Sequence, residues 1–180
     1  KNRQQKSNND CYAFDKNPVY NPQTSHLQPV NDKNKRPQNM SIWFATPDIA
    51  ALNRQMENTA CSNLGIEIIE YGDDWIKGTM PADHRTFQPF GLVHGGANVL
   101  LAETLGSMAA NLCVDNSKHM TVGQEINANH LRGVRSGTVT GIAKIVHLGR
   151  TSQVWEIRMY NDDDKLSCIS RLTMAVIPAP

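Results

Sequence analysis

Between His94 and Leu112 the apolar residues Ala97, Val99, Leu100, Leu101, Ala102, Leu105, Met108, Ala109 and Ala110 fall almost all round a helix. A helix of that kind must be covered on most sides. The covering is written on either side of it. Before it, Leu64 to Tyr71 and Trp75 to Met80 are strand-like runs flanking Gly72-Asp73-Asp74, the turn chemistry of an antiparallel hairpin. After it, four further runs follow one another. Met120, Val122, Ile126 and Ala128 alternate with polar neighbours, and Gly133 to Gly137 turns the chain. Val139, Ala143 and Ile145 share a face before the turn at Leu148-Gly149-Arg150. Gln153, Trp155, Ile157 and Met159 alternate next, and Asn161 to Asp164 leads into Leu166, Cys168, Leu172, Met174 and Val176. A parallel doubly wound sheet needs a helix between successive strands, and the second half has none. The expectation is an α+β fold, an antiparallel sheet of about six strands wrapped around one long apolar helix.

Two more features set the boundaries. Thr46-Pro47-Asp48 opens a short helix carrying Ile49, Leu52 and Met56. Upstream of Met40 the composition changes: residues 1–39 hold seven basic and three acidic side chains, a charge of +4 that leaves −3 for the rest, among many Asn, Gln and Pro without periodicity. Such a segment buries too little apolar surface to offset its ordering entropy. It has neither the apolar core of a secretory signal nor the Arg-rich pattern of a transit peptide. We read 1–39 as a disordered tail or leader, translated upstream of a natural start at Met40 or kept for docking, and 40–180 as the folded domain.

The charge of the whole chain, +1, recruits neither nucleic acid nor anionic lipid, and no run approaches the roughly 20 apolar residues that span a bilayer. The four cysteines, Cys11, Cys61, Cys113 and Cys168, form no C-x-x-C pair, and the six histidines show no metal-ligand spacing. A reducing cytoplasm is the simplest compartment.

Glu103 breaks the apolar helix. A carboxylate among Leu100, Leu101, Ala102 and Leu105 costs several kcal/mol unless something compensates it, and catalysis or a structural partner such as Ser or Arg both qualify. Just before the helix, Phe87-Gln88-Pro89-Phe90-Gly91-Leu92-Val93-His94-Gly95-Gly96 puts two glycines where backbone N–H groups lack intrahelical acceptors. That end can hold an oxyanion, or it is a tight turn. Gly95 and Glu103 are eight residues apart, roughly 800° and about 12 Å along one axis, so one helix cannot aim both at the same carbon. If they cooperate, they come from two chains related by a two-fold axis. Ser107 shares a face with Glu103 and serves either to orient it or to pack. His130 and His147 close strand-like runs, a structural position, and Arg132 and Arg150 on the adjoining turns suit phosphate. There is no G-x-S-x-G elbow and no cysteine beside a histidine.

With these residues assembled, Gln88 to Gly96 followed by Leu101-Ala102-Glu103-Thr104-Leu105-Gly106-Ser107-Met108 resembles the hotdog-fold acyl-CoA thioesterases of the PaaI-like superfamily. The likeness is strongest to the branch containing the 1,4-dihydroxy-2-naphthoyl-CoA thioesterases of menaquinone synthesis and the enterobactin-pathway proofreading thioesterases. It extends over nearly all of Met40 to Ile177, including Gly123-Gln124-Glu125-Ile126-Asn127-Ala128 and His147-Leu148-Gly149-Arg150, and not over the tail. The resemblance implies that Glu103 is the catalytic carboxylate, nucleophile or general base, and that Gln88, His94 and the Gly95 N–H surround the thioester carbonyl. Ser107 and Met108 would stand beside the carboxylate on the other chain. Gly123, the stretch His130, Leu131, Arg132 and Gly133, and the stretch His147, Leu148, Gly149, Arg150, Thr151 and Ser152 match substrate- and CoA-binding segments. Leu131 replaces a histidine often found there, and Gly133 a proline. The implied enzyme hydrolyses an acyl-CoA, aromatic by first choice, with no cofactor or metal, coenzyme A being part of the substrate, and it forms homodimers that pair into tetramers. A hotdog hydratase or dehydratase and a noncatalytic acyl-CoA-binding module are the alternatives.

Overall fold

A computed structural model describes residues 41–180. The expected tail and its boundary at Met40 lie outside the described residues. Helix α1 (Ile49–Gln55) is capped by Asp48, whose Oδ1 accepts from the Ala51 N–H at 3.1 Å, so Pro47 precedes the cap instead of entering the first turn. A four-residue helix, α2 (Ala60–Asn63), follows, just ahead of the run expected as strand. Thr59 and Ser62 close a capping box around it, and Leu64 is its C-cap, so the first strand begins at Glu67 and not at Leu64.

Strands β1 (Glu67–Tyr71) and β2 (Trp75–Pro81) form the expected hairpin. The short strands β3 (Phe87–Gln88) and β4 (Leu92–Val93) make a separate ribbon, too brief to leave a periodic signal in the sequence. The long helix α3 spans Gly95–Leu112, and β5 (His119–His130), β6 (Thr138–Leu148), β7 (Ser152–Tyr160) and β8 (Leu166–Pro178) complete the chain. Six strands form one antiparallel sheet in the order β1-β2-β6-β7-β8-β5.

α3 lies against this sheet, and Leu101, Ala102, Leu105, Ala109 and Ala110 are fully buried with Ile76, Met80, Val139, Ala143, Trp155, Ile157 and Leu172. Close approach depends on the paired glycines Gly78 and Gly141: a Cβ on either would lie 2.7 Å from a Leu105 methyl carbon. Adding one there overpacks the core at about 1–3 kcal/mol.

β5 departs from the simple alternation read in its sequence. A bulge at Gln124 interrupts its pairing with β8 between Gly123 and Glu125. An inserted residue swaps the faces of everything beyond it. Before the bulge Gly123 stands opposite the buried Met174; after it Ile126 and Ala128 stand opposite the buried Leu172 and Ser170, and His130 opposite the buried Cys168. Met120, 36% exposed, therefore does not share a face with Ile126. The bulge brings an odd-numbered residue, Gly123, and an even-numbered one, His130, to the same side of the sheet.

Candidate active site

The N-terminus of α3 is held by its neighbours. The buried Thr86 donates its hydroxyl to the Pro81 carbonyl (2.8 Å), and its own carbonyl accepts the His94 N–H (2.8 Å). Val93 donates to the Val134 carbonyl at 2.9 Å. His94 is the N-cap, its Nδ1 accepting the Gly96 N–H at 2.8 Å. In its neutral form the imidazole then carries its proton on Nε2. The Gly95 N–H has no acceptor among the described residues. In the β3–β4 turn, Gly91 at φ +70 takes a conformation suited to glycine. There the Phe90 N–H donates to Gln88 Oε1 at 2.5 Å, which fixes the carboxamide and leaves its NH₂ to donate elsewhere.

Gln88 and Gly95 open onto a cleft of about 280 Å³, lined also by Asn98, His130, Leu131, Arg132, Gly133 and Val134. The His130 ring is close to the helix end: a Cβ on Gly95 would sit 2.7 Å from its Nε2. Its Nδ1 lies 3.5 Å from Cys168 Sγ. Burial pushes the Cys168 thiol up, and which of the two atoms donates in this contact depends on the imidazole tautomer. Sequence reasoning assigned no role to Cys168 or Asn98, although Asn98 is a polar break in the apolar helix just as Glu103 is.

Glu103 occupies the middle of α3, half-buried, with neither a hydrogen bond nor an ion pair among the described residues. Burial pushes its carboxyl above the ordinary glutamate value. It lies against β5 at Gly123, where a Cβ would come 2.5 Å from Oε1. Only a residue without a side chain leaves the carboxylate its place. Ser107, one turn along α3 from Glu103, directs its hydroxyl to Met174 Sδ at 3.8 Å. With Met108 it lines a second cleft of about 430 Å³, bounded by Leu52, Gln55, Asn111, Leu112 and Asn116.

The predicted residues thus separate. Gln88, Gly95 and His130 to Gly133 gather in one cleft with His94 at its helix end, Ser107 and Met108 line another, and Glu103 packs on Gly123. His147 to Ser152 form the β6–β7 turn, closed by the Gly149 N–H to the Ser152 carbonyl (2.9 Å), with His147 folded over Gly149, and they line neither cleft. Among the described residues no group of three or more His, Cys, Asp or Glu could hold a metal ion, and no helix is long and apolar enough to cross a membrane.

Known proteins are similar to this chain in sequence and in fold. The family model described as Thioesterase superfamily matches residues 90–168. The 1,4-dihydroxy-2-naphthoyl-CoA hydrolase of Escherichia coli is 46% identical over 136 residues, 76% of this chain and 99% of that protein. The chain belongs to the thioesterase superfamily. The proofreading thioesterase EntH of Cronobacter turicensis is 48% identical over 76% of this thioesterase and 98% of its own length. A solved Pseudomonas aeruginosa thioesterase, crystallised with one glutamine changed to alanine, superposes with a TM-score of 0.76 at 56% identity, covering 77% of this chain and 99% of that one. The long helix packed on an antiparallel sheet is the hotdog fold of these neighbours, and the protein is a thioester hydrolase.

Proposed function

We propose that this thioesterase hydrolyses an acyl-CoA, and that Glu103 of one protomer works with the Gly95 N–H of another. The observation that carries this reading is the Glu103 carboxylate: half-buried, without a partner among the described residues, and given room by Gly123. A desolvated carboxylate with no structural contact is a reactive one. Glu103 attacks the thioester carbonyl to form a mixed anhydride that water then hydrolyses, or it takes a proton from a water that attacks the carbonyl directly. The Gly95 N–H stabilises the developing oxyanion at the positive end of α3, with the Gln88 NH₂ and the Nε2–H groups of His94 and His130 as further donors. Coenzyme A leaves as a thiolate, and the free acid remains. These steps need no cofactor and no metal.

Spacing along α3 argues for the second chain, since about 12 Å and roughly two turns separate the two groups. The unpaired outer edge of β5, which carries Gly123 and His130 close to these groups, is the edge at which a two-fold partner brings its own α3 nearby. Pairing of such dimers into tetramers and residence in the cytoplasm belong to the same proposal. We infer an aromatic acyl group, 1,4-dihydroxy-2-naphthoyl or similar, from the Escherichia coli relative. Arg132, Arg150 and His147 suit the phosphates of the nucleotide.

The test is release of free thiol from a panel of aromatic, β-hydroxyacyl and straight-chain acyl-CoAs, read with a thiol reagent. Steady release from an aromatic member, nearly abolished in Glu103→Gln, supports the proposal. Near-normal turnover by that variant refutes the role of Glu103, and change of the acyl chain without thiol release points to a hydratase.

A further inference from the structure

Opposite each other across β5 and β8, His130 and Cys168 form a cross-strand pair. Cys168 is fully buried, whereas His130 is exposed and lines the cleft with Gln88 and Gly95. The strand end that carries the imidazole is tied down: the Leu131 and Arg132 N–H groups both donate to the Ser167 carbonyl, at 2.8 and 3.1 Å. The Ser167 hydroxyl donates in turn to the Met159 carbonyl at 3.1 Å. What the backbone leaves free is the ring. Its Nδ1 lies 3.5 Å from Cys168 Sγ, the one hydrogen-bonding contact of the imidazole among the described residues. The other nitrogen, Nε2, is the ring atom nearest to Gly95, 2.7 Å from where a Cβ would stand.

Which nitrogen carries the proton decides what the cleft meets. With the proton on Nε2 the ring offers a donor beside the Gly95 N–H; with it on Nδ1 the ring offers a lone pair, which repels a carbonyl oxygen. The thiol biases that choice. A neutral imidazole nitrogen is a good acceptor and a thiol sulfur a weak one, so S–H to Nδ1 is the better of the two pairings. Burial pushes the Cys168 thiol up, which keeps the S–H proton in place.

We propose that Cys168 is a positioning residue: its S–H donates to His130 Nδ1, holds the imidazole proton on Nε2 and aims that N–H at the thioester carbonyl oxygen. This rests on the reading that the carbonyl docks at Gly95. The thiol itself meets no substrate, being wholly covered, and acts only through the tautomer and tilt of the ring.

The test has a spectroscopic and a kinetic arm, both on the full chain. Histidine rings are labelled with ¹⁵N and observed at a pH of about 8.5, where ordinary imidazoles are neutral, and the His130 signals are identified by their loss in His130→Gln. In wild type Nε2 should show the shift of a protonated nitrogen and Nδ1 that of a bare one. Cys168→Ser, which keeps a donor, should retain this pattern, and Cys168→Ala should average the two tautomers. On the acyl-CoA of the panel that is turned over fastest, Cys168→Ala should lower kcat about tenfold with little change in KM, and Cys168→Ser should restore most of the loss. In a His130→Gln background Cys168→Ala should cost nothing further.

A proton on Nδ1 in wild type overturns the inference. So do equal losses from Cys168→Ala with and without His130, which mark a packing residue. Normal turnover by His130→Gln overturns it as well and leaves the roles of Glu103 and Gly95 untouched. If wild type releases thiol from no acyl-CoA of the panel, the acyl-CoA reading fails and takes the inference with it; every other outcome judges Cys168 alone.

Discussion

At its N-terminal end α3 gathers polar groups that can donate: the Gly95 N–H, the Gln88 NH₂ and the Nε2 atoms of His94 and His130 all lack hydrogen-bond partners among the described residues. Eight residues on, the same helix carries the reverse, an acceptor without donors among the described residues, in Glu103 against Gly123. Each end is incomplete alone, and each is what the other lacks. On the proposed reading the donor end is redundant, its members sharing the oxyanion, whereas the acceptor end has one carboxylate in one place. Substitutions should therefore be unequal in effect, severe around Glu103 and graded around Gly95.

The largest effect belongs to Glu103→Gln, which should lower kcat by about 10³-fold, since no other carboxylate stands in its position. The same substitution should raise Tm at neutral pH. The sign follows from the raised carboxyl: because Glu103 holds its proton more tightly folded than unfolded, the native state loses stability as pH climbs from the ordinary glutamate value to the raised one, and below that window nothing is lost. Thermal melts of both proteins should therefore differ at pH 7 and converge near pH 4. A variant less stable than wild type at pH 7 would mean that Glu103 has a structural partner. In the wild type, kcat/KM should rise with pH along an acid limb whose midpoint lies above the usual glutamate range, and a limb at the usual value removes the desolvation argument.

Gly123→Ala comes next. Its methyl must displace Glu103 Oε1 from 2.5 Å, and a misplacement of about 1 Å costs on the order of 10²-fold in rate. The fold should survive, as read by an unchanged far-UV spectrum. Gln88→Ala removes one donor of several, and a drop of only about tenfold in kcat is expected, with little change in Tm. If it proves as damaging as Glu103→Gln, the donor end is not redundant.

How much of this was legible beforehand depended on where each residue sits in the sheet. β7 has neighbours on both sides, and Gln153, Trp155, Ile157 and Met159 are all fully buried, so their alternation reports one face directly. β5 is an edge strand with a bulge, and a bulge leaves no mark in hydrophobic periodicity, so the side of Gly123 could not be read. Glu103 was visible as a charge in an apolar helix, and Gly95 as a glycine at its start. Asn98 carries the same kind of signal as Glu103 in weaker form, because a neutral amide in a helix is easily satisfied. The Cys168 contact with His130 joins residues 38 apart across two strands, and only the register of β5 on β8 reveals it. The β3–β4 ribbon and α2 are too short for any periodic pattern, and their caps and turns are local chemistry that many loops share.

The central claim is that the donors of one chain serve the carboxylate of another, and mixing two dead variants tests it most directly. Gly95→Pro removes the amide hydrogen at a first helical position, where proline suits the backbone, and its added carbons also push aside the His130 ring that lies 2.7 Å from a Cβ there; Glu103→Gln removes the carboxylate. Each should be nearly inactive alone. Co-expressed in equal amounts, they should recover about one quarter of the wild-type rate per chain, because half of the dimers are mixed and each mixed dimer rebuilds one of its two sites. Recovery that stays at the level of either variant alone would place Gly95 and Glu103 in the same chain's site, or in none.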